Sequence, residues 1–281
     1  MLAGYISIVV MSSAVKILSP TVPPNEILFF RFSIGLLFSL GLVIASPRFD
    51  WRIHDLGASA LRNGAGIASM LLMFYSLKHL PLSTAMLLNN TSAFFVPLFM
   101  LVLFKQKVSW PTLACTAVGF VGICIILYTP HGDIDMRYLF AAILSAMLAA
   151  LAYLGIKSLS RNHSPVHIIF YFYLSGTLVL LFTVADDWVL PSWHEAALLG
   201  LVGVFGFGFQ MFVTKAFALT NVAHITPFVF LSVILSVLAD WLIWNTAPGA
   251  GFWLGAAVTL ASLRLLSGLK KTDAPAADPS R

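Results

Sequence analysis

The chain has 281 residues, of which 59% are hydrophobic and 10% charged, with a mean hydropathy of +0.94. Globular domains carry about 25% charged residues, so this composition excludes a soluble domain and marks an integral membrane protein. The formal charge of +5 does not point to nucleic acid. The basic residues stand in short loops, where membrane topology puts them, and no basic surface interleaved with aromatic rings is present.

A helix that crosses a bilayer needs about 20 apolar residues. Ten stretches qualify, at 2–19, 25–45, 56–78, 82–104, 110–128, 137–160, 165–185, 193–218, 222–244 and 250–268. The first lacks a basic n-region and a small-residue cleavage site, so it reads as a spanning helix and not as a signal peptide. Pro23-Pro24, Pro47, Pro81, Pro111, Pro130, Pro165, Pro191 and Pro248 mark helix ends or first turns, where a missing N–H costs nothing extra. Residues 270–281 are polar and Pro/Ala-rich and read as a disordered tail.

Arg31 lies up to two turns inside the second span, where it either holds a solute carboxylate or is satisfied by backbone carbonyls. Tyr75 ends the third span and is a candidate to cap an apolar part of a solute. The run Leu77–Trp110 holds Asn89, Asn90, Thr91 and Ser92 inside a stretch long enough to span, with Pro97 beyond. Amides in lipid are costly unless they face protein, water or a ligand. At least one of Asn89 and Asn90 is therefore expected to line a cavity, although consecutive residues point about 100° apart. Pro97 and Pro227 each free a carbonyl one turn back and are candidate gating kinks.

In the fifth span, Cys115 and Cys124 are about 13 Å apart along the helix, too far to bridge. No metal site is expected, and no cofactor. Gln210 is a deep polar candidate in the eighth span, where Gly203, Gly206 and Gly208 allow close packing. The ninth span carries His224, Ser232, Ser236 and Asp240, the last three on one stripe. His224 and Ser232 are candidate solute contacts. Asp240 is the one candidate acid for proton coupling, the alternative being an interfacial acid beside Trp241 and Trp244.

The chain repeats itself. A shift of 141 lays Ala14–Ser19 on Gly155–Ser160 and Asn25–Gly35 on Val166–Gly176, pairing Gly35 with Gly176. A shift of 142 lays Gly64 and Gly66 on Gly206 and Gly208. Five spans per half is an odd number, so the second copy is inverted, as in carriers that alternate access around a midplane site. The Lys/Arg count places both termini in the cytoplasm.

The opening AVKILSP…PPNEILFFRF, the run FYSLKHLPLSTAMLLNNTSAFFVPLF and the glycine-bearing fifth span resemble the EamA branch of the drug/metabolite transporter superfamily. The resemblance covers nearly the whole chain. It implies an all-α integral membrane fold of ten transmembrane helices in two inverted EamA-type repeats, 1–130 and 131–269. It also implies a central cavity ringed by the first four helices of each half, with the fifth and tenth peripheral. The second half has no proline matching Pro97, and Lys105-Gln106-Lys107 stands where the family often has an acid.

The expected function is secondary transport of a small organic, amino-acid-like or amphiphilic solute across a bacterial inner membrane, as exporter or exchanger. A proton is the candidate coupling ion. A monomer is the default, with a weak homodimer through Cys115/Gly119 and Gly251/Gly255 as the alternative. The competing expectation is a polytopic enzyme acting on a lipid or headgroup. That reading needs paired acids, an HExxH helix or an activated nucleophile near the membrane face. A channel is a third reading, and the chain lacks a filter-like run.

Overall fold

The computed structural model of the chain describes residues 2–46, 49–103, 105, 108–128, 135–184, 188–219 and 226–272. The described residues form eleven helices and no strand: α1 (Leu2–Leu18), α2 (Pro24–Ile44), α3 (Leu56–His79), α4 (Leu82–Asn90), α5 (Ser92–Val102), α6 (Trp110–Tyr128), α7 (Met136–Leu159), α8 (Pro165–Val184), α9 (Trp193–Leu219), α10 (Thr226–Trp244) and α11 (Ala250–Thr272). Five of the described spans are long and apolar enough to cross a membrane outright, counting α4 and α5 together as Leu82–Val102. Shorter apolar stretches lie in α1, α6, α10 and α11.

Local chemistry sets the ends. Proline opens α2 and α8 at their first positions, where its fixed φ suits a helix start. Asp55 caps α3 by accepting from the Ala58 N–H at 2.8 Å, and Asp135 caps α7 through the Arg137 N–H at 2.8 Å. Before α9, Ser192 and Glu195 form a reciprocal capping box: Glu195 Oε2 accepts from the Ser192 N–H at 2.8 Å, and the Glu195 N–H donates back to Ser192 Oγ at 3.4 Å.

One expectation of the sequence is corrected. The fourth span is not one helix from 82 to 104 with its bend at Pro97. It breaks six residues earlier, at Thr91, and Pro97 sits inside α5. Thr91 turns its hydroxyl back onto the Leu88 carbonyl at 2.5 Å, and its N–H takes the same carbonyl at 3.1 Å. Threonine competing with the helical ladder in this way tightens the turn, and two asparagines beside it add little helix propensity to resist.

The two halves pack as an inverted pair. α3 lies along α7, and its counterpart α9 lies along α1. α2 crosses α8, where equivalent positions meet: a Cβ on Gly35 would lie 2.2 Å from the Tyr173 ring, and one on Gly176 would lie 2.1 Å from Phe32. Phe32 and Tyr173 are themselves 141 residues apart, so each repeat places its aromatic ring in the other's glycine notch. Such notches suit helices in lipid, which associate through close packing and not through hydrophobic transfer. α6 and α11 lean chiefly on each other, with Gly122 against Thr259 and Gly255 against Ile126. Gly119 is filled by Phe94 of the same chain.

Candidate functional site

The bundle has two ends. One carries Arg52, Lys105, Lys157, Arg161 and Lys215 with Asp50 and Asp55 and is called the basic end; the other carries Glu26, Asp135, Glu195 and Asp240 with Lys16, Lys78 and Arg137 and is called the acidic end.

The break at Thr91 directs the two amides to different neighbours. Asn89 Nδ2 donates to Ser145 Oγ of α7 at 3.4 Å, and Ser145 exchanges hydrogen bonds with Ser69 of α3, each hydroxyl reaching the other's carbonyl at 2.8 Å. Asn90 Nδ2 donates to Ser232 Oγ of α10 at 3.0 Å. Asn90 and Ser232 are 142 residues apart, which is the repeat shift. Equivalent positions that touch each other lie on the pseudo-twofold axis relating the halves. Both asparagines are half-buried. Gln210, buried on α9, donates to Thr214 Oγ1 at 3.0 Å.

Two arginines stand in the interior, one of which the sequence reading missed. Arg31 on α2 is 0% exposed. Its Nε reaches the Met11 thioether at 3.3 Å, and Nη1 and Nη2 have no partner among the described residues. Arg62 on α3 is 3% exposed, lies 3.8 Å from the centre of the Phe172 ring, and has an unpartnered Nε. Glycines make room for both: a Cβ on Gly206 would lie 2.8 Å from Arg31 Nε, and one on Gly66 would lie 2.3 Å from Arg62 Nη1. Removing a guanidinium from water costs several kcal/mol, whereas a desolvated ring face returns roughly 2 kcal/mol. The ring faces alone therefore leave both cations under-compensated. The signal in the sequence was a charge six residues into a helix, followed directly by Gly64 and Gly66.

Asp240 lies at the acidic end of α10, 1% exposed. Its carboxylate accepts from the Leu82 N–H at 2.9 Å, the Ser83 N–H at 2.7 Å and Ser83 Oγ at 2.6 Å. It thus caps α4 from the opposite repeat, as an acid at a helix N-terminus should. Lys16 donates its ammonium to the Leu80 carbonyl nearby, within electrostatic reach of Asp240 and 5.3 Å from the Trp244 ring. Ser236 turns its hydroxyl onto its own helix, at Val233 O. Tyr75 is 43% exposed and sits with His79 and Tyr138, away from the interior arginines, at the outer turn of α3. His224 lies outside the described residues, and for Pro227 the backbone of α10 is described but its side chain is not.

At the basic end, the segment before α3 is held against the turn before α8. His163 Nε2 accepts the His54 N–H at 3.3 Å, and His163 stacks on His167 with ring centroids 4.0 Å apart. His54 Nε2 pairs with Asp50 at 2.9 Å, His167 Nε2 meets the Arg52 carbonyl at 3.1 Å, and Tyr171 donates to the Trp51 carbonyl at 2.7 Å. Burial, then the neighbouring His54, hold the His163 imidazole below the ordinary histidine range. The Arg52 N–H and His54 hold Asp50 below the ordinary carboxylate range.

Two inverted five-helix halves meeting on a polar axis define a multi-pass membrane carrier, with an interior lined from both repeats. The sequence model of the EamA-like transporter family matches residues 1–128 and 136–268, and the chain belongs to that family. The pseudopaline exporter of Pseudomonas aeruginosa is 28% identical, over 93% of this chain and 92% of its own. A riboflavin transporter of Rhizobium johnstonii is 32% identical, over 83% of this chain and 75% of its own. An S-adenosylmethionine uptake transporter of Rickettsia conorii is 26% identical, over 84% and 80%. A crystal structure with 16% identity superposes over 96% of this chain and 97% of its own, with a TM-score of 0.68, and shares the fold. The chain is a small-molecule transporter of the membrane.

Proposed function

We propose that this carrier binds its solute on the axis between the repeats, at Asn89, Asn90, Ser232, Gln210 and Arg31, and exposes it alternately to the two sides of the membrane. The observation that carries this reading is the Asn90–Ser232 bond, which joins equivalent positions of the two halves. Rocking one half against the other moves everything around that point and little at it, which is where a solute has to sit. The break at Thr91 supplies a hinge beside it, with Pro97 and Pro227 as secondary flex points. Both termini face the cytoplasm by the Lys/Arg count, the repeats divide at about residue 130, and export or exchange is the direction. The relatives include both an exporter and uptake transporters.

Asp240 is the proposed coupling acid. Its carboxylate holds the start of α4, so a proton on Oδ2 weakens the bonds from the Ser83 N–H and hydroxyl and loosens the start of α4. Tyr75 is retained as a contact at the outer mouth of the path, and His224 as a candidate solute contact.

Counterflow in proteoliposomes tests the reading. Vesicles preloaded with riboflavin, S-adenosylmethionine or a pool of amino acids and other metabolites should take up the labelled solute in exchange. Asn90→Ala, Asn89→Ala and Gln210→Ala should each weaken solute-induced thermal stabilisation without unfolding the protein. Normal binding in all three folded variants overturns the axial site. Turnover of a lipid headgroup by the purified protein would favour the enzyme reading instead.

A further inference from the structure

We propose that Arg31 and Arg62 form an anion-binding wall in the solute path, so that the transported solute carries a carboxylate or phosphate group. The inference rests on the axial-site reading above for its claim about transport, and on the two arginines alone for its claim about binding.

The geometry argues for an external anion. Arginine keeps its charge at any physiological pH and offers five donors in a rigid fork. Here the forks are filled by a thioether and by ring faces: Arg31 Nε on Met11, its guanidinium 5.4 Å from the Phe32 ring and 6.0 Å from Tyr173, and Arg62 over Phe172. Arg31 Nη1 and Nη2 and Arg62 Nε are buried without partners among the described residues. Among the described residues the ion pairs are His54–Asp50 and Arg137–Asp135, and neither touches these cations. Of the two buried acids of the spans, Asp240 is engaged with α4, and Glu26 accepts the Val189 N–H through Oε2 while its Oε1 has no partner among the described residues; neither pairs with an arginine. The arginines also sense each other's charge. Two like charges in a low-dielectric interior are a standing demand for a negative partner.

Both cations also meet the opposite repeat. A shift of 141 from Arg31 arrives at Phe172, the ring on which Arg62 stacks. Arg31 stands in the notch made by Gly206 of α9, and Arg62 lies against Gly66 of its own helix and Phe172 of α8. Tyr153 lies within electrostatic reach of Arg62, and Tyr173 within reach of both arginines. The Tyr173 hydroxyl donates to the Gly206 carbonyl at 3.2 Å. A charge bound here is held by two arginines of the first repeat, which pack on Tyr173 and Phe172 of the second.

The test uses the intact protein in detergent with matched probes: glutarate against glutaramide, and glycerol 3-phosphate against glycerol, at constant ionic strength. The expected result is that the anion of at least one pair raises the thermal midpoint and its neutral partner does not; which pair responds separates carboxylate from phosphate recognition. Arg31→Gln and Arg62→Gln should each weaken that response about 10- to 100-fold, as loss of a charge-assisted bond does. Arg31→Lys and Arg62→Lys keep the charge and should retain a weaker response. If wild type responds equally to anion and neutral partner, the proposal is overturned, whether or not the glutamine variants fold. Transport is read separately. Counterflow of a neutral or cationic solute that survives both glutamine substitutions leaves the carrier reading standing and removes the anion wall. Anion protection with no counterflow of any solute leaves the wall standing and removes the axial transport site.

Discussion

Asp240 shows how a residue's role depends on partners that its local sequence does not contain. Its own helix places it on a stripe with Ser232 and Ser236, and that stripe suggests a coupling acid. Its three donors come from residues 157 and 158 positions earlier, across the inverted interface. Asp240→Ala leaves those donors buried and unmet, and a buried unmet group costs about 1–3 kcal/mol. We expect the variant to lose about 2–3 kcal/mol in denaturant titration in detergent, given the worth of a cap. Asp240→Asn retains one acceptor and should lose about 1 kcal/mol. If proton binding at Asp240 drives transport, Asp240→Asn keeps solute counterflow but loses accumulation under a pH gradient. Equal loss of both would assign the residue to folding alone. Arg62 was illegible for a related reason: a single charge near a helix start looks like an interfacial arginine until the helix opposite it is known.

At the scale of elements, the spans were legible because apolar runs are long and proline punctuates them. The break in the fourth span was half legible, since Pro97 drew attention from the Asn-Asn-Thr run that bends the chain. The α2–α8 crossing was foreshadowed by the pairing of Gly35 with Gly176, although spacing alone does not say what fills a notch. Gly176→Ala puts a methyl 2.1 Å from Phe32, a ring with 0% exposure. Overpacking of this kind costs typically 1–3 kcal/mol, so about that loss of stability is expected. Adding Phe32→Leu should recover part of it, whereas an additive double mutant would show that the two positions do not meet.

The histidine stack at the basic end responds to acid in a definite direction. His163 Nε2 is occupied by the His54 N–H, and the neighbours that face it are His54, Asp50 and Asp55 from the segment before α3 and His167 from α8. His163 is held below the ordinary histidine value, so the latched form binds fewer protons than the released one. Its contribution is complete above about pH 6.5, and is lost as pH falls through the lowered value. Amide exchange across residues 49–55, corrected for intrinsic rates, should therefore quicken between pH 7.5 and pH 5. In His163→Gln the stack on His167 is absent, and protection should be lower and change less over the same range. A wild-type profile that changes no more than the variant's would dismiss the latch.

For the molecule as a whole, the inverted repeat is the feature that turns these local contacts into a machine. Each end is closed by links between the two repeats: His54 to His163 at the basic end, and Asn25 to the Thr183 carbonyl at 3.0 Å at the acidic end. Alternating access requires the links at the two ends to open in turn. A protein with Cys115 and Cys124 replaced by serine provides the background for cross-linking, since these are its two free thiols. On that background His54→Cys with His163→Cys, whose rings now lie 5.2 Å apart, should be joined by a short bifunctional thiol reagent. Asn25→Cys with Thr183→Cys does the same at the acidic end. Each cross-link alone should stop counterflow and a reductant should restore it, because a carrier fixed at either end completes half a cycle. A channel with one gate behaves differently: locking the end without the gate leaves flux intact. Continued flux with either end locked would sink the rocking mechanism, while leaving the fold and the anion wall to be judged on their own experiments.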